Sequence, residues 1–392
     1  MIIFIESNTS GTGEYFYKCC IKKKINFKFL IKSKLKYPWL KKKYYEIIDT
    51  QNQKKLEKKI NFILKKNKIT FILSTSDQFI ITSNKLNNKF KINYENLELL
   101  KVFKDKHKCL EMLKKYKLSR RKNFIIQNKK QKIKNIKFPC IIKPNSGTGS
   151  IGVHKIKNQK DLILKVNYLL SHKIKVLLEE FVSGKEYSLE VLFIKGKIIF
   201  DQLIEKSIND EDHFVESAHL IRPKYSPKII NIKNKILNEF QRFKLNKMFL
   251  HIEFKITNKG YVEIIEVNPR LAGGFIPILI KQATKVDLIS FYIDLINNNL
   301  NYKIKKKNFL EIYKILFLIP TESKKIKLIN FKNNLKKHII SKILYFDKIK
   351  KFKRYNYDFS DRLGHLIIKS KTIKTLKILE KYIRLNIRFI YK

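Results

Sequence analysis

Short hydrophobic runs alternate with amphipathic stretches over the first hundred residues. The runs at 2–5, 27–31 and 69–73 are rich in β-branched and aromatic residues, which is typical of buried strands. The stretches between them have helix-like spacing, most clearly at 51–67. Strands that alternate with helices predict a small parallel α/β domain, whose loops gather at the carboxyl ends of the strands.

Residues 251–274 carry a different pattern, in which two β-branched and aromatic runs flank an Asn-Lys-Gly turn. This pattern predicts a β-hairpin that places Glu253 opposite Glu266. Alternation along the strand puts Glu266 and Asn268 on one face and points Glu263 away. Facing acids are unfavourable unless something neutralises them. Because three oxygen ligands on one face suit Mg²⁺ beside phosphates, the hairpin predicts a metal site.

A strand predicted at 138–143 ends with Lys143, and Pro144 stops it. The loop at 145–153 contains three glycines together with hydroxyl and amide residues. The backbone N–H groups of such a loop can surround a phosphate. It is not a Walker A loop, because no Gly-Lys-Ser/Thr sequence follows it. The lysine on the preceding strand favours a phosphate-binding loop over a plain turn.

Periodicity predicts most of the remaining elements. A helix at 105–117 carries Lys106 near its start, and a strand at 175–182 ends in two acids. Further strands are predicted at 186–191, 197–205, 311–318 and 365–368, and helices at 227–243, 276–298 and 372–386.

Polar segments between these elements supply further candidates. The loop at 6–13 contains glycines and hydroxyl residues, which is a weak phosphate-loop signal. Residues 74–77 open a helix, with Ser76 or Asp77 as its cap. The stretch 209–219 has no periodicity and predicts a loop that carries His213 and His219. A loop histidine usually faces solvent, and His219 is the better candidate for a substrate contact.

The chain has 392 residues and a formal net charge of +53, which raises the question of nucleic-acid binding. Only nine of the 86 basic residues are Arg, the residue that bidentate phosphate and base recognition favours. The lysines are spread along a chain also rich in Ile, Asn, Phe and Tyr, as AT-rich codons would encode. We therefore interpret the charge as codon drift rather than as a specific nucleic-acid surface.

The four cysteines form no CxxC pair and no Cys/His cluster with metal-ligand spacing. They are expected to be reduced, mostly buried thiols. The sequence shows neither a secretory leader nor an apolar run long enough to span a bilayer. These features predict a cytoplasmic protein without a membrane partner.

Four segments in a fixed order resemble the ATP-grasp superfamily of carboxylate–amine ligases: FPCIIKPNSGTGSIGV, VLLEEFVSGKEYSLEV, HIEFK and EVNPRLAGG. The resemblance covers about residues 100–300. The first hundred residues are similar to the α/β domain that precedes this fold, and the segment Asp361-Arg362-Leu363-Gly364-His365 is more weakly similar to the C-terminal lobe. Within the superfamily, the likeness is closest to L-amino-acid ligases that make dipeptides, including carnosine-synthase-like enzymes.

The resemblance implies a multidomain α/β and α+β protein, in which a small Rossmann-like parallel α/β domain at 1–100 precedes the ATP-grasp fold. The ATP-grasp domain would occupy 101–300, with a lid subdomain at about 138–205. A C-terminal lobe would occupy 301–392.

The resemblance also implies the site residues. Lys106 and Lys143 would hold the α- and β-phosphates of ATP under the glycine loop, and Arg270 would face the transferring phosphoryl group. The implied ATP residues are Lys106, Lys143, Gly147, Thr148, Gly149, Ser150, Gly152, Glu179, Glu180, Phe181, Val182 and Glu186. The implied ligands of two Mg²⁺ ions, with Mn²⁺ as a substitute, are Glu253, Glu266 and Asn268. The catalytic residues would be Arg270 and Lys143, and the substrate residues Ser76, Asp77, His219, Arg270, Gly273 and Gly274.

The implied reaction converts a carboxylate, such as that of an amino acid, into an acyl phosphate that an amine then attacks. The products are an amide, ADP and phosphate, and the partners are small molecules, with a homodimer as the common default. One alternative is a bicarbonate-activating carboxylase, although no biotin-acceptor or glutaminase residues are visible. The other is a Lys-rich nucleic-acid-binding protein with a vestigial nucleotide site.

Overall fold

The computed structural model describes residues 1–9, 11–128, 136–147, 149, 151–208, 214–298, 304, 307–319, 325–331, 338–344, 350–351 and 362–391. Four residues named above, Thr148, Ser150, His213 and Asp361, lie outside this described part of the chain.

The N-terminal segment forms a parallel four-stranded sheet with the strand order β3-β2-β1-β4. This confirms the predicted parallel α/β unit and the strands predicted at 2–5, 27–31 and 69–73, whereas β3 was not predicted. Its strands are β1 (Ile2–Ile5), β2 (Phe27–Ile31), β3 (Tyr45–Ile47) and β4 (Phe71–Leu73), and its helices are α1 (Thr12–Lys22), α2 (Gln53–Leu64) and α3 (Ile80–Lys89).

A second four-stranded sheet is antiparallel and has the order β5-β8-β6-β7. Its strands are β5 (Asn123–Ile126), β6 (Cys140–Pro144), β7 (His154–Ile156) and β8 (Val176–Glu180), and α6 (Gln159–Ser171) packs beside them. This sheet carries the glycine loop. The predicted lid limits of 138–205 differ from it, because strands that begin at 185 belong to another sheet.

That larger sheet has eight strands in the order β13-β12-β9-β10-β11-β14-β18-β16. A three-stranded sheet, β17-β15-β19, lies near the C-terminus. These strands are β9 (Lys185–Ile194), β10 (Lys197–Ile208), β11 (Glu216–Ile221), β12 (Met248–Ile256), β13 (Val262–Asn268), β14 (Ile312–Leu318), β15 (Lys325–Phe331), β16 (Ile339–Leu344), β17 (Lys350–Lys351), β18 (Gly364–Ser370) and β19 (Ile387–Tyr391). The remaining helices are α4 (Leu97–Lys104), α5 (Lys106–Lys115), α7 (Pro227–Gln241), α8 (Ile276–Thr284), α9 (Leu288–Ile296) and α10 (Ile373–Asn386).

Apolar side chains cover both faces of the eight-stranded sheet. On one face, Leu189 of β9 and Phe254 of β12 share a core with helices α4, α5 and α7. On the other, Leu192 and Phe249 share a core with α8, α9 and the N-terminal sheet. The second core does not extend to the far ends of the strands. Polar residues occupy the same face of the sheet there.

The predicted loop at 209–219 is partly wrong. Residues 209–213 lie outside the described part, but 216–221 form strand β11, which pairs with both β10 and β14. Its polar residues Ser217 and His219 are buried. A strand covered on both faces shows no clear alternation, so periodicity could not find it. The single helical region at 276–298 is two helices, with Lys285 between them in a left-handed conformation.

A buried carboxylate joins the N-terminal unit to the large sheet. Both oxygens of Glu95 accept the backbone N–H of Asn246, at 3.1 Å. Burial raises the pKa of Glu95 to about 7, although these hydrogen bonds oppose the shift. The folded protein therefore binds a proton at this position more tightly than the unfolded chain does.

Glu95→Gln should change how stability depends on pH. The contribution of Glu95 to the unfolding free energy is complete below about pH 4.5 and is lost as the pH rises to about 7. The variant should nearly match the wild type at pH 5 and exceed it at pH 8 by up to roughly 3 kcal/mol, measured by urea unfolding. The exposed Glu98→Gln is the control. An equal effect of Glu95→Gln at both pH values would contradict this prediction.

Candidate functional site

An open cleft lies between the antiparallel four-stranded sheet and the eight-stranded sheet, and the space between its walls, open solvent included, is about 860 Å³. The structure brings ten of the predicted residues to this cleft from distant parts of the chain. They are Lys106, Lys143, Gly147, Glu179, Glu180, Phe181, Val182, Glu186, Glu253 and Glu266.

One end of the cleft is apolar and suits a flat base. Ile141, Phe181, Ile208 and Phe214 contribute to its walls. The Lys255 ammonium donates to the Val182 carbonyl at 3.2 Å, next to the connection between β8 and β9. Glu180 is tied to Lys122 twice: its side chain accepts the Lys122 N–H at 2.9 Å, and its own N–H donates to the Lys122 carbonyl at 3.0 Å. Glu186 lies beyond this end, with Lys255 at 3.8 Å and Lys206 at 4.0 Å.

The other end holds two lysines beside the glycine loop. Asp105 caps helix α5, and the following Lys106 donates to the Gly147 carbonyl at 2.8 Å and contacts Glu266 at 2.5 Å. Burial opposes the charge of Lys106, but the acids around it, Glu266 first and then Glu253 and Asp77, together raise the pKa of Lys106 above its usual value.

Lys143 reaches the same end from β6 and pairs with Glu179 at 2.7 Å. Burial lowers the pKa of Lys143, although Glu179 acts in the opposite direction. Arg121, between α5 and β5, contacts the second oxygen of Glu179 at 3.1 Å and donates to the Ile264 carbonyl at 2.7 Å. Arg121 therefore ties the lysine strand to the hairpin.

The glycines of the loop adopt conformations that other residues rarely adopt. Gly147, Gly149 and Gly152 all have positive φ, and a Cβ on Gly152 would lie 3.1 Å from the Pro144 ring. A side chain at these positions would be strained. In the other glycine loop, the described residues 6–9 and 11–13 do not line the cleft. A Cβ on Gly11 would instead meet the Phe275 ring at 2.4 Å.

The hairpin pairs Glu253 with Glu266, as predicted, but a bulge follows this pair. Phe254 pairs with Ile264, which leaves Ile265 as the extra residue. Ile264 and Val267 both pack in the core, so Ile265 and Glu266 both face the cleft. The prediction for Glu263 was wrong for the same reason. It lies on the cleft side, where Ser119 and the Arg120 N–H donate to it.

Cations hold the facing acids in place. Lys206 lies 2.9 Å from Glu253, and His251 donates to the same carboxylate at 2.7 Å. Burial alone would lower the pKa of His251, but the carboxylates of Glu190 and Glu253 raise it to about 9. The imidazolium can therefore donate to both acids.

The donor set fits a hard divalent cation. Glu253 and Glu266 are cross-strand neighbours, and Asn268 follows two residues later and is buried. Within the described ranges, no three His, Cys, Asp or Glu side chains are spaced as metal ligands. The two acids and Asn268 supply two carboxylates and an amide, which are oxygen ligands of the kind that Mg²⁺ binds.

Lys206 is the main site residue that the sequence reasoning missed. Its side chain is 1% exposed and contacts Glu216 at 2.6 Å as well as Glu253 and Glu186. These acids raise the pKa of Lys206 despite its burial. In so lysine-rich a chain, nothing in the sequence distinguished Lys206 from the other lysines. Strand alternation could have indicated His251 and Glu190. His251 lies two residues from Glu253 and Glu190 four residues from Glu186, in each case on the same face of the strand.

The predicted substrate residues form a second group beside the cleft. Arg270 pairs with Asp77 at 2.5 Å through its terminal nitrogen and donates to it at 2.6 Å through Nε. Ser76 precedes this acid and makes no side-chain cap bond. His219 is buried, which lowers its pKa to about 3, and lies 3.6 Å from Glu216. His219 therefore does not face solvent as loop histidines do.

Gly274 lies against the C-terminal lobe, whereas the Gly273 carbonyl accepts the Ile276 N–H at 3.1 Å. A Cβ on Gly274 would meet the His219 ring at 2.9 Å and lie 3.8 Å from Arg362. Arg362 donates to the Glu216 carboxylate at 2.8 Å and stacks on Phe317, with its guanidinium 3.9 Å from the ring centre. Strands β14 and β18 thus bring the C-terminal lobe to the site.

A family model described as an ATP-grasp domain matches residues 136–278. The chain contains an ATP-grasp domain. The matched range includes the glycine loop, the whole hairpin and all of the cleft residues named for the described chain except Lys106 and Arg121.

Curated relatives are similar to parts of this chain. It is 28% identical over 187 residues to D-alanine–D-alanine ligase B of Clostridium perfringens, covering 45% of this chain and 59% of that protein. It is 33% identical over 174 residues to an uncharacterised protein of Sinorhizobium fredii, covering 41% of this chain and 34% of that one. The chain thus spans less than two thirds of the length of these relatives.

Solved structures share the fold over the full chain. An L-amino acid ligase from Bacillus licheniformis superposes with a TM-score of 0.83 at 13% identity, covering 100% of this chain and 98% of that one. A phosphoribosylglycinamide synthetase from Anaerococcus prevotii has a TM-score of 0.74 at 19% identity, with coverages of 100% and 99%. At such identities the likeness establishes the ATP-grasp architecture alone. Among the helices that the structure describes, none is long and apolar enough to cross a membrane.

Lys206→Met should destabilise the protein strongly, because it leaves three acids around a buried position without their shared cation. Removing one partner of a buried ion pair costs roughly 3–5 kcal/mol, measured here by urea unfolding. Lys185→Met is the matched control. Lys185 also pairs with a glutamate, Glu205, but its side chain is 50% exposed, so the cost should stay below about 1 kcal/mol. Similar small losses for both variants would contradict the buried cluster.

Proposed function

We propose that this protein is an ATP- and Mg²⁺-dependent carboxylate–amine ligase that forms ADP and phosphate. The observation that carries the proposal is the convergence of Lys106, Lys143 and the glycine loop on the facing acids Glu253 and Glu266 in one cleft. The ATP-grasp domain supports it. So do the named activities of the D-alanine–D-alanine ligase and L-amino acid ligase relatives.

In this proposal the cleft binds ATP along its length. The apolar end receives adenine, with the backbone from Glu180 to Val182 as its polar partner, and Glu186 accepts the ribose hydroxyls. Lys106 and Lys143 bind the α- and β-phosphates, and the loop at Gly147–Gly152 closes over them. Glu253, Glu266 and Asn268 would hold Mg²⁺, which neutralises phosphate charge when bound.

The chain's own residues then favour transfer of the γ-phosphoryl group to a carboxylate. A carboxylate is a poor electrophile, and phosphorylation gives it a leaving group. Lys143 and Arg270 neutralise the charge that develops during transfer. An amine attacks the acyl phosphate, and the closed loop keeps water away from it. No protein nucleophile is required.

The substrate class within this proposal is an amino acid or similar carboxylate, joined to an amine to give a dipeptide-like amide. The L-amino acid ligase fold likeness supports this choice. The domain limits at 100 and 300, a cytoplasmic location and a homodimer stay predictions.

Glu266→Gln should abolish ADP formation, because it removes a carboxylate from the facing pair. The measurement is ADP and phosphate release over a screen of amino-acid pairs, with bicarbonate as a further substrate. Glu311→Gln, outside the cleft, is the control and should leave the rate unchanged. ADP release that survives Glu266→Gln would refute the metal assignment. Formation of AMP and pyrophosphate would refute an acyl phosphate.

Glu186→Gln should remove a pH dependence from ATP binding. Burial raises the pKa of Glu186 to about 7, so its carboxyl is protonated below that pH and accepts ribose hydroxyls weakly. Wild-type affinity for ATP should therefore rise between pH 6 and pH 8 more than that of the variant, measured by calorimetry. Comparing the two proteins cancels the titration of ATP itself. Parallel pH profiles would contradict a ribose contact at Glu186.

A further inference from the structure

Asp77 holds the side chain that the proposed function places at the transferring phosphoryl group. One carboxylate oxygen, Oδ2, accepts Arg270 Nε at 2.6 Å and contacts its terminal nitrogen Nη2 at 2.5 Å. The other oxygen, Oδ1, accepts the Lys104 ammonium at 3.0 Å. The Asp77 side chain is 10% exposed. With both oxygens engaged, Asp77 is not open to a substrate ammonium group.

This contact determines which N–H donors of the Arg270 guanidinium are left for another ligand. An arginine has five N–H donors in a fixed plane. Asp77 takes the edge formed by Nε and Nη2, and the Leu271 carbonyl accepts from Nη1 at 3.0 Å. One donor is left on each terminal nitrogen, and phosphate oxygens can accept from such a pair.

Without Asp77, other acids would compete for Arg270. The charges of Glu266 and Glu253 act on this guanidinium in the same direction as that of Asp77. These acids belong to the proposed metal site. An arginine drawn onto them would neutralise metal ligands and withdraw its donors from the phosphoryl position. Asp77 is the acid in hydrogen-bond contact with the guanidinium, and its charge acts on Arg270 more strongly than those of Glu266 and Glu253 do.

The acid and the arginine come from different parts of the chain. Asp77 follows β4 of the N-terminal parallel sheet, whereas Arg270 follows the hairpin strand β13. Lys104, at the end of α4, completes the group. The N-terminal unit thus reaches the ATP-grasp cleft through a buried ion pair.

We propose that Asp77 is a positioning residue, contributed by the N-terminal unit, that orients Arg270 toward the transferring phosphoryl group. This inference rests on the proposed function only for the place of Arg270 in phosphoryl transfer. Asp77 itself touches neither ATP nor the reacting carboxylate. It replaces the earlier prediction that Asp77 binds substrate.

The first test is Asp77→Asn, which keeps the size of the side chain and removes its charge. A misaligned catalytic group costs about 10- to 100-fold in rate. The kcat for ADP formation should fall by that amount, while the KM for ATP should change less than about threefold. In an Arg270→Lys background, Asp77→Asn should have little further effect, because the guanidinium that it orients is gone.

Lys104→Met is the matched control. It removes the other cation from Asp77 and leaves the pair with Arg270 intact, so kcat should stay within about threefold of the wild type. If Asp77→Asn does not fold, Asp77→Glu keeps the charge but displaces Arg270, and the same pattern should appear with a smaller loss. Additive losses for the Asp77 and Arg270 variants, or a loss confined to the KM for ATP, would overturn the proposal.

A binding measurement separates this proposal from the ligase assignment. Aluminium fluoride mimics a phosphoryl group in transfer, and calorimetry gives the affinity for ADP with and without it. Asp77→Asn and Arg270→Lys should lose the tightening by aluminium fluoride alike, while both keep the affinity for ADP alone. If the wild type shows this tightening but makes no ADP with any pair, the ligase assignment fails and the positioning role stands. Absence of tightening in the wild type, or its survival in Asp77→Asn, overturns the positioning role.

Discussion

The whole site depends on how the repulsion between two carboxylates that face each other across a strand pair is compensated. Glu253 and Glu266 are adjacent in the hairpin ladder, where like charges repel unless cations compensate them. The compensation comes from three elements, with Lys106 at the start of α5, Lys206 on β10 and His251 on β12 itself. The packing of α5 against the sheet and the pairing of β10 are therefore conditions for the acids to coexist. A divalent cation at the same place would relieve the same repulsion.

The compensating charges also join parts of the chain that are usually described as separate. Lys206 forms ion pairs with both Glu253 and Glu216. Glu216 in turn pairs with Arg362 in the C-terminal lobe. Strands β14, β18 and β16 of that lobe extend the same eight-stranded sheet as the hairpin. On the other side, Asp77 and Glu95 tie in the N-terminal unit. The cleft is thus built by all three regions, so charge changes far from it in sequence can still alter it.

Sequence alone predicted what depends on local pattern. The parallel N-terminal sheet, the hairpin with its facing acids, and the lysine strand before the glycine loop each have a short-range signature, and the structure confirms them. Strand β11 was missed because both of its faces are buried. Lys206, Arg121 and the Asp77–Arg270 pair were missed because their roles arise from contacts between distant segments. Glu263 was misplaced because a bulge shifts the alternation, and no residue type at 263–266 marks a bulge.

The bulge at Ile265 has a consequence for how this chain can change over generations. Lysine, isoleucine and asparagine are common along the whole chain, and exchanges of one residue type for another leave strand lengths unaltered. In β13, one residue added or removed between Glu266 and Asn268 would turn Asn268 away from the face that it shares with Glu266 and toward the apolar core. The hairpin therefore tolerates substitution far better than insertion or deletion. Its length is as much a part of the site as its acids are.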